Sequence, residues 1–351
     1  MAPGSSQFRK LAGLAMATLL ICLVVAEIGL RLTPDFSPPT DPPRQQEPHL
    51  FQQDERFGYR LWRSTNMLYR YPKKNPVIHS LVSNSDGFRT GREFDELDPR
   101  LRVLMLGDSV AFGMGVEVDD RVTEVMESLE PDWRVDNAAM AGYGLDLMIR
   151  ALEAIGPKSN PDVIVLTMHT DDFRRLLPYY AGLGYKIPKF HLEGQRLVTR
   201  PFPRQPFWKR IRLVHAFYFA SWKKIYVNNW KLHEALLDRY RELAHEMESL
   251  PVVVFIPGQY ETPNDQRRRV FLKDYCAQKE TPFLDLTEAL HREGVKETHV
   301  PRDMHWNEQG HRVAAEALGG FLGKVVEGLQ SKHHPVDGDL AEEPSVQSQT
   351  P

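Results

Sequence analysis

Apolar runs broken at intervals by turn residues dominate the middle of this 351-residue chain. Val103-Leu104-Met105-Leu106 stops at Gly107-Asp108-Ser109, and Trp133 to Ala138 gives way to the small-residue loop Ala139 to Gly144. Val163 to Met168 stops at His169-Thr170-Asp171-Asp172, Val252 to Ile256 stops at Pro257-Gly258, and a shorter run covers Pro282 to Leu286. Continuous apolar runs of this length, bounded by turn residues, fit strands buried on both faces. Between them, Thr123 to Leu129, Leu145 to Ile155, Leu232 to Leu250 and Glu308 to about Leu329 place apolar residues at helical spacing. Strand alternating with helix predicts an α/β protein. Its expected form is a three-layer α/β/α sandwich with a central parallel sheet and right-handed crossovers.

The two ends of the chain follow other patterns. Arg9-Lys10 precede the uncharged run Leu11 to Ala26, whose length suits both a short membrane span and a long signal h-region. Only positive charge lies before it, which favours a cytoplasmic N-terminus and a translocated remainder. Ala-x-Ala occurs only inside the run, and no small residue precedes Cys22, so an uncleaved signal anchor is favoured over a removed signal peptide. Pro34, Pro38, Pro39, Pro42 and Pro43 then read as an extended spacer. The expected organisation is an anchor over 1–32, a spacer and extension over 33–100, an α/β domain over 101–330 and a disordered tail over 331–351. Within the extension, Tyr59 to Trp62 and Met67 to Tyr71 read as short strands. It is expected either to pack as a surface turn on the main domain, or to cover the sheet edge or line the cleft. An aromatic insertion, 178–230, holds Tyr179, Tyr185, Phe190, Trp208, Phe217 and Trp230 among others. It reads as the lining of an acyl or sugar cleft, a membrane contact, or a satellite cluster under a long loop.

Composition narrows the function classes. Hydrophobic residues make up 42% and charged residues 26%, as in an ordinary globular protein with a sizeable core. The formal net charge of -3 gives no global field for nucleic acid. The basic clusters Lys209-Arg210-Ile211-Arg212 and Arg267-Arg268-Arg269 are read as solvated faces. Two cysteines, Cys22 and Cys276, offer neither a disulfide framework nor zinc spacing, and no metal or cofactor is expected. Gly113-Met114-Gly115 is not a phosphate loop, because no lysine follows and Asp108 opposes an anion.

Chemistry gathers where the predicted strands end, which is where ligands bind in parallel α/β sheets. Here the chain resembles the SGNH (GDSL-type) hydrolase superfamily. Gly107-Asp108-Ser109 matches its first motif, and Asn137 to Gly142 matches its Asn-x4-Gly loop. Asp303, His305, Asn307 and Gly310-His311 match its last motif. The family more often spaces the last pair Asp-x-x-His, whereas this chain has Asp-x-His. The resemblance covers roughly Arg102 to Leu329 and implies the SGNH/flavodoxin-like form of the sandwich. It also implies that Ser109 is the nucleophile, His305 its base and Asp303 the group orienting that base. Backbone N–H groups of Ser109 and Gly142 would donate to the oxyanion. His311 is expected to be structural, and nothing in the pattern supports a role for His169 or His299.

The third motif departs from the family. Where an Asn would supply a side-chain donor to the oxyanion, this chain has Asp171, and an ionised carboxylate offers acceptors only. Three outcomes follow: a protonated Asp171, a side chain turned toward Arg174 or Arg175, or a slow or dead site. The leading expectation is a membrane-anchored carboxylic-ester hydrolase or O-acyltransferase. Its domain would lie outside the cytoplasm, periplasmic or at the cell surface, and act on acylated glycans, lipids or small esters. The alternative is a non-catalytic SGNH scaffold that binds a glycan or a protein partner.

Overall fold

The computed structural model describes residues 5–32, 50–72, 76–176, 182–202, 211–214 and 229–333. A long helix, α1 (Ser5–Leu32), comes first, and its side chains are almost all exposed. It is long and apolar enough to cross a membrane by length and composition. Two antiparallel hairpins follow: β1 (Phe51–Asp54) with β2 (Gly58–Leu61), and β3 (Asn66–Tyr71) with β4 (Val77–Val82).

The domain proper is a five-stranded sheet built from β5 (Leu101–Leu106), β6 (Trp133–Asn137), β7 (Val163–His169), β10 (Leu250–Ile256) and β11 (Phe283–Asp285). Strand order is β11-β10-β7-β5-β6, and every pairing is parallel. The apolar runs are strands for the reason their pattern suggests. Leu104, Leu106, Ile164, Leu166, Val252 and Val254 are all fully buried, as residues covered on both faces must be.

Helices flank the sheet in two groups. On one side, α2 (Val122–Leu129) packs against the C-terminal α9 (Glu308–His333). On the other, α3 (Leu145–Ser159) packs against α5 (Trp230–Glu246). Beside α5, Trp230 stacks on Phe271 of α6 (Pro263–Gln278) at 4.6 Å. Short helices α4 (Asp172–Arg175), α7 (Thr287–Glu293) and α8 (Val295–Thr298) sit in the connections. This is the α/β/α sandwich with a central parallel sheet that strand–helix alternation predicts.

Several expectations shift. The last helix runs to His333, so residues 331–333 are helical rather than tail, and the remaining tail lies outside the described residues. The proline-rich spacer also lies outside them, as do Lys209, Arg210 and much of the aromatic insertion. The described part of the insertion contains a hairpin, β8 (Lys189–Glu193) with β9 (Arg196–Arg200). Here Tyr185 stacks on Tyr59 at 5.2 Å, and Arg150 lies over the Phe190 ring at 4.8 Å. The basic clusters are not simply solvated faces. Arg268 is buried and donates to the Thr170 carbonyl, just past the end of β7, at 2.8 Å. Arg212 donates to the Leu30 carbonyl at the end of α1 at 2.8 Å.

Candidate active site

Three strand ends build one site. At the end of β5, glycine at 107 is required by crowding: a Cβ there would lie 2.1 Å from Thr167 Oγ1 and 2.7 Å from the Ala111 Cβ. The next two residues make a tight turn, in which Asp108 Oδ1 accepts the Val110 N–H at 2.9 Å. Asn137 ends β6, and its side chain donates to the Ala111 carbonyl at 2.8 Å, tying that turn to the neighbouring loop. The loop is pinned further by Met140 N–H to the Gly107 carbonyl at 3.1 Å. Gly142 sits in it with a φ of +79°, a conformation that costs glycine little. A Cβ at 142 would also meet Tyr59 Oη at 2.8 Å.

The C-terminal loop supplies the rest. His305 Nε2 lies 2.7 Å from Ser109 Oγ, and His305 Nδ1 lies 2.5 Å from Asp303 Oδ1. The same carboxylate oxygen accepts the His305 backbone N–H at 3.1 Å, which is how the two-residue spacing still delivers the pair. Burial works against the charged form of Asp303. Hydrogen bonds from His305 and Tyr71 outweigh it and hold the carboxyl at about 2. Ser109, His305 and Asp303 thus meet at one rim of the sheet, although they are spread over almost 200 positions of sequence.

Beneath the rim lies a buried ionic cluster. Arg175 Nη1 donates to Asp108 Oδ2 at 2.9 Å, to Asp172 Oδ1 at 2.5 Å and to the Tyr143 carbonyl at 2.6 Å. A single guanidinium therefore clips together the ends of β5 and β7 and the Gly142 loop. Burial pushes the Asp172 carboxyl well up, and the Asp108 charge adds to that. The opposite holds for Asp108, where the Arg175 charge overcomes burial and lowers the group. His169 is fully enclosed, and burial drives its imidazole down to about 4, so it is neutral near pH 7. Its Nδ1 accepts the Asp171 backbone N–H at 3.2 Å.

Of the residues expected at the oxyanion, two present open donors. The backbone N–H groups of Ser109 and Gly142 have no hydrogen-bond partner among the described residues. Asp171 does not join them as a donor. Its Oδ2 is held by Arg174 Nη2 at 2.6 Å, because a carboxylate beside a guanidinium one helical turn away pairs with it. Asp172 is the partner of Arg175. His311 is buried at the start of α9, where its Nδ1 accepts the Val122 N–H at 3.2 Å, a structural contact.

Sequence reasoning missed one residue at the centre. Tyr71, at the end of β3, puts its hydroxyl 2.7 Å from Asp303 Oδ2 and 2.6 Å from His305 Nδ1. The β3–β4 extension therefore lines the site. Its only signal was a weak alternation over Met67 to Tyr71.

Fold and site together define a parallel α/β sandwich that carries a Ser–His–Asp constellation at its strand ends. No family model matches the chain, and no curated protein does. Among solved structures it is similar to a psychrotrophic esterase, EstA, from Pseudoalteromonas sp., at 12% identity over 65% of this chain and 99% of that one, with a TM-score of 0.42. It is similar to a GDSL-like lipase from Bacteroides thetaiotaomicron at 10% identity, over 67% of this chain and 92% of that one, with a TM-score of 0.39. An acetyl xylan esterase, AlAXEase, is similar at 13% identity over 62% of this chain and 98% of that one, with a TM-score of 0.42.

Proposed function

We propose that the chain is a serine-dependent carboxylic-ester hydrolase of the SGNH (GDSL-type) group. In this reading α1 anchors it in a membrane, and the α/β domain works outside the cytoplasm on O-acylated glycan or lipid. One observation carries the reading: Ser109 Oγ lies 2.7 Å from a nitrogen of an imidazole whose other nitrogen faces a carboxylate at 2.5 Å. That arrangement removes a proton from an alcohol and returns it to a leaving group.

The steps follow from the geometry. As Ser109 Oγ attacks an ester carbonyl, its proton passes to His305 Nε2. Asp303 steadies the imidazolium that forms, and the N–H groups of Ser109 and Gly142 receive the developing oxyanion. Collapse of the tetrahedral intermediate expels the alcohol, which takes the proton from His305. Water then releases the acid from the acyl-enzyme. A sugar hydroxyl in place of that water would make the same site an O-acyltransferase.

A second reading, the non-catalytic scaffold, draws on Asp171, which brings no donor where one is needed. Hydrolysis of p-nitrophenyl acetate by the full chain in detergent decides between them. The enzyme reading expects turnover that falls about 10³-fold or more in Ser109→Ala. Equal rates in the two proteins, or none in either, would leave the scaffold.

A further inference from the structure

We propose that Tyr71 is a positioning residue, whose hydroxyl closes a hydrogen-bonded ring with Asp303 and His305 and fixes which imidazole nitrogen carries the proton. The claim rests on the esterase reading for its kinetic consequence and on geometry for the rest.

Three contacts make the ring. Tyr71 Oη lies 2.7 Å from Asp303 Oδ2 and 2.6 Å from His305 Nδ1, and Nδ1 lies 2.5 Å from Asp303 Oδ1. A phenol has one proton to give, and an ionised carboxylate can only accept. The phenolic proton therefore goes to Asp303. The phenolic oxygen is left to accept from Nδ1–H, which it shares with Oδ1. Every hydrogen in the ring then has an assigned place, and the Nε2 lone pair is left facing Ser109 Oγ. Burial raises the Tyr71 hydroxyl, and the Asp303 hydrogen bond adds to this, so the phenol stays protonated at working pH.

The hairpin that carries Tyr71 is fixed to the domain. Tyr69 Oη accepts the Gly115 N–H at 3.2 Å, and a Cβ on Gly115 would lie 2.9 Å from the Tyr71 ring. Glu117 accepts the Ser80 N–H at 3.2 Å. The loop that follows Ser109 thus sets the position of the strand that steadies His305. The Tyr71 and His305 rings meet edge to face, with centroids 5.5 Å apart.

The groups facing His305 are Asp303, Tyr71 and Ser109, with His169, His299 and His311 as more distant electrostatic neighbours. All three of those histidines are buried, and burial favours their neutral form. Asp303 and Tyr71 are therefore the polar groups that hold Nδ1, and the Asp303 carboxylate is divided between the Tyr71 O–H and Nδ1–H. Removing the hydroxyl leaves Nδ1–H with Asp303 Oδ1 alone among these partners and takes one of the two holds off the imidazole ring.

The test is Tyr71→Phe in the full chain, with Leu68→Ser on the exposed face of the same strand as control. The expected result is a kcat lower by about tenfold with a KM within about twofold. A kcat within twofold of wild type overturns the proposal. A readout that needs no turnover separates it from the esterase reading: the far-downfield proton resonance of His305 Nδ1–H, identified by its loss in His305→Gln. If wild type neither turns over nor reacts with a fluorophosphonate, the esterase reading fails. The ring is then judged by this signal alone. A resonance that moves in Tyr71→Phe and stays in Leu68→Ser supports the proposal. An unmoved resonance in Tyr71→Phe overturns it.

Discussion

On one side of Ser109, side chains satisfy one another. Oγ faces His305, His305 faces Asp303, and both accept company from Tyr71, all within 2.5–2.7 Å. On the other side the groups offered are backbone N–H donors of Ser109 and Gly142, left open. The third residue expected there, Asp171, is engaged by Arg174 at 2.6 Å. In the proposed reaction the half that would handle the proton is thus closed, and the half that would receive the oxyanion is open. The difference teaches what each half requires. A proton relay works through fixed partners, whereas an oxyanion site must keep donors unpaired until charge develops in front of them. In the proposed reaction a carboxylate, Asp171, stands where the family resemblance implies an amide. Coulomb repulsion between Asp171 and an oxyanion about 4 Å away would cost roughly 4 kcal/mol at an effective dielectric near 20, and a guanidinium partner offsets that cost.

Acid should separate the halves most strongly. His169 accepts the Asp171 backbone N–H, and burial holds its imidazole at about 4, below the ordinary 6.5. Its neutral form is the one the fold favours, so the stability it contributes is complete above pH 6.5 and is lost as pH falls toward 4. Asp303 has its value depressed to about 2, so its contribution is complete above the ordinary carboxylate value and disappears only as pH falls toward 2. Thermal unfolding followed from pH 7 to pH 4 should therefore show a loss on the order of 1–3 kcal/mol per buried histidine. His233, also near 4, and His311, near 3, add to the loss in the same direction. A transition temperature flat across that window would break the comparison.

A smaller effect is expected from the oxyanion half itself. Asp171→Asn frees Arg174 and supplies a side-chain N–H, so ester hydrolysis should rise by about tenfold, a fraction of what an oxyanion donor contributes elsewhere. KM should stay within about twofold. Lower activity in Asp171→Asn would mean that the Asp171–Arg174 pair is itself needed by the site.

Much of this was legible in the sequence because it depends on local pattern. The apolar runs at Val103, Val163 and Val252 are strands because short, continuously apolar runs ended by turn residues suit a parallel sheet covered on both faces. The site was legible through the family resemblance of Gly107-Asp108-Ser109, Asn137 to Gly142 and Asp303 to His311. What escaped notice depends on contacts between distant segments. Helix α6 holds Arg267-Arg268-Arg269 and has little apolar patterning, so it read as a charged surface. Its start is instead set by a capping box, in which Thr262 and Asp265 bond each other's backbone. Arg268 looked solvated because no local feature tells that it reaches the Thr170 carbonyl. Tyr71 could not be found from neighbours in sequence, since its partners lie more than two hundred residues away. Arg174 and Arg175 stood together as candidate partners of Asp171. Geometry assigns one to each acid, the exposed pair at the rim and the buried pair beneath it.

The central claim is that Ser109 is the nucleophile, made reactive by His305. It is tested most directly by treating the full chain with a fluorophosphonate and locating the adduct by mass spectrometry. The account predicts one adduct, on Ser109, that fails to form in His305→Gln at the same dose. An adduct on another residue, or equal labelling of Ser109 without the imidazole, would contradict it.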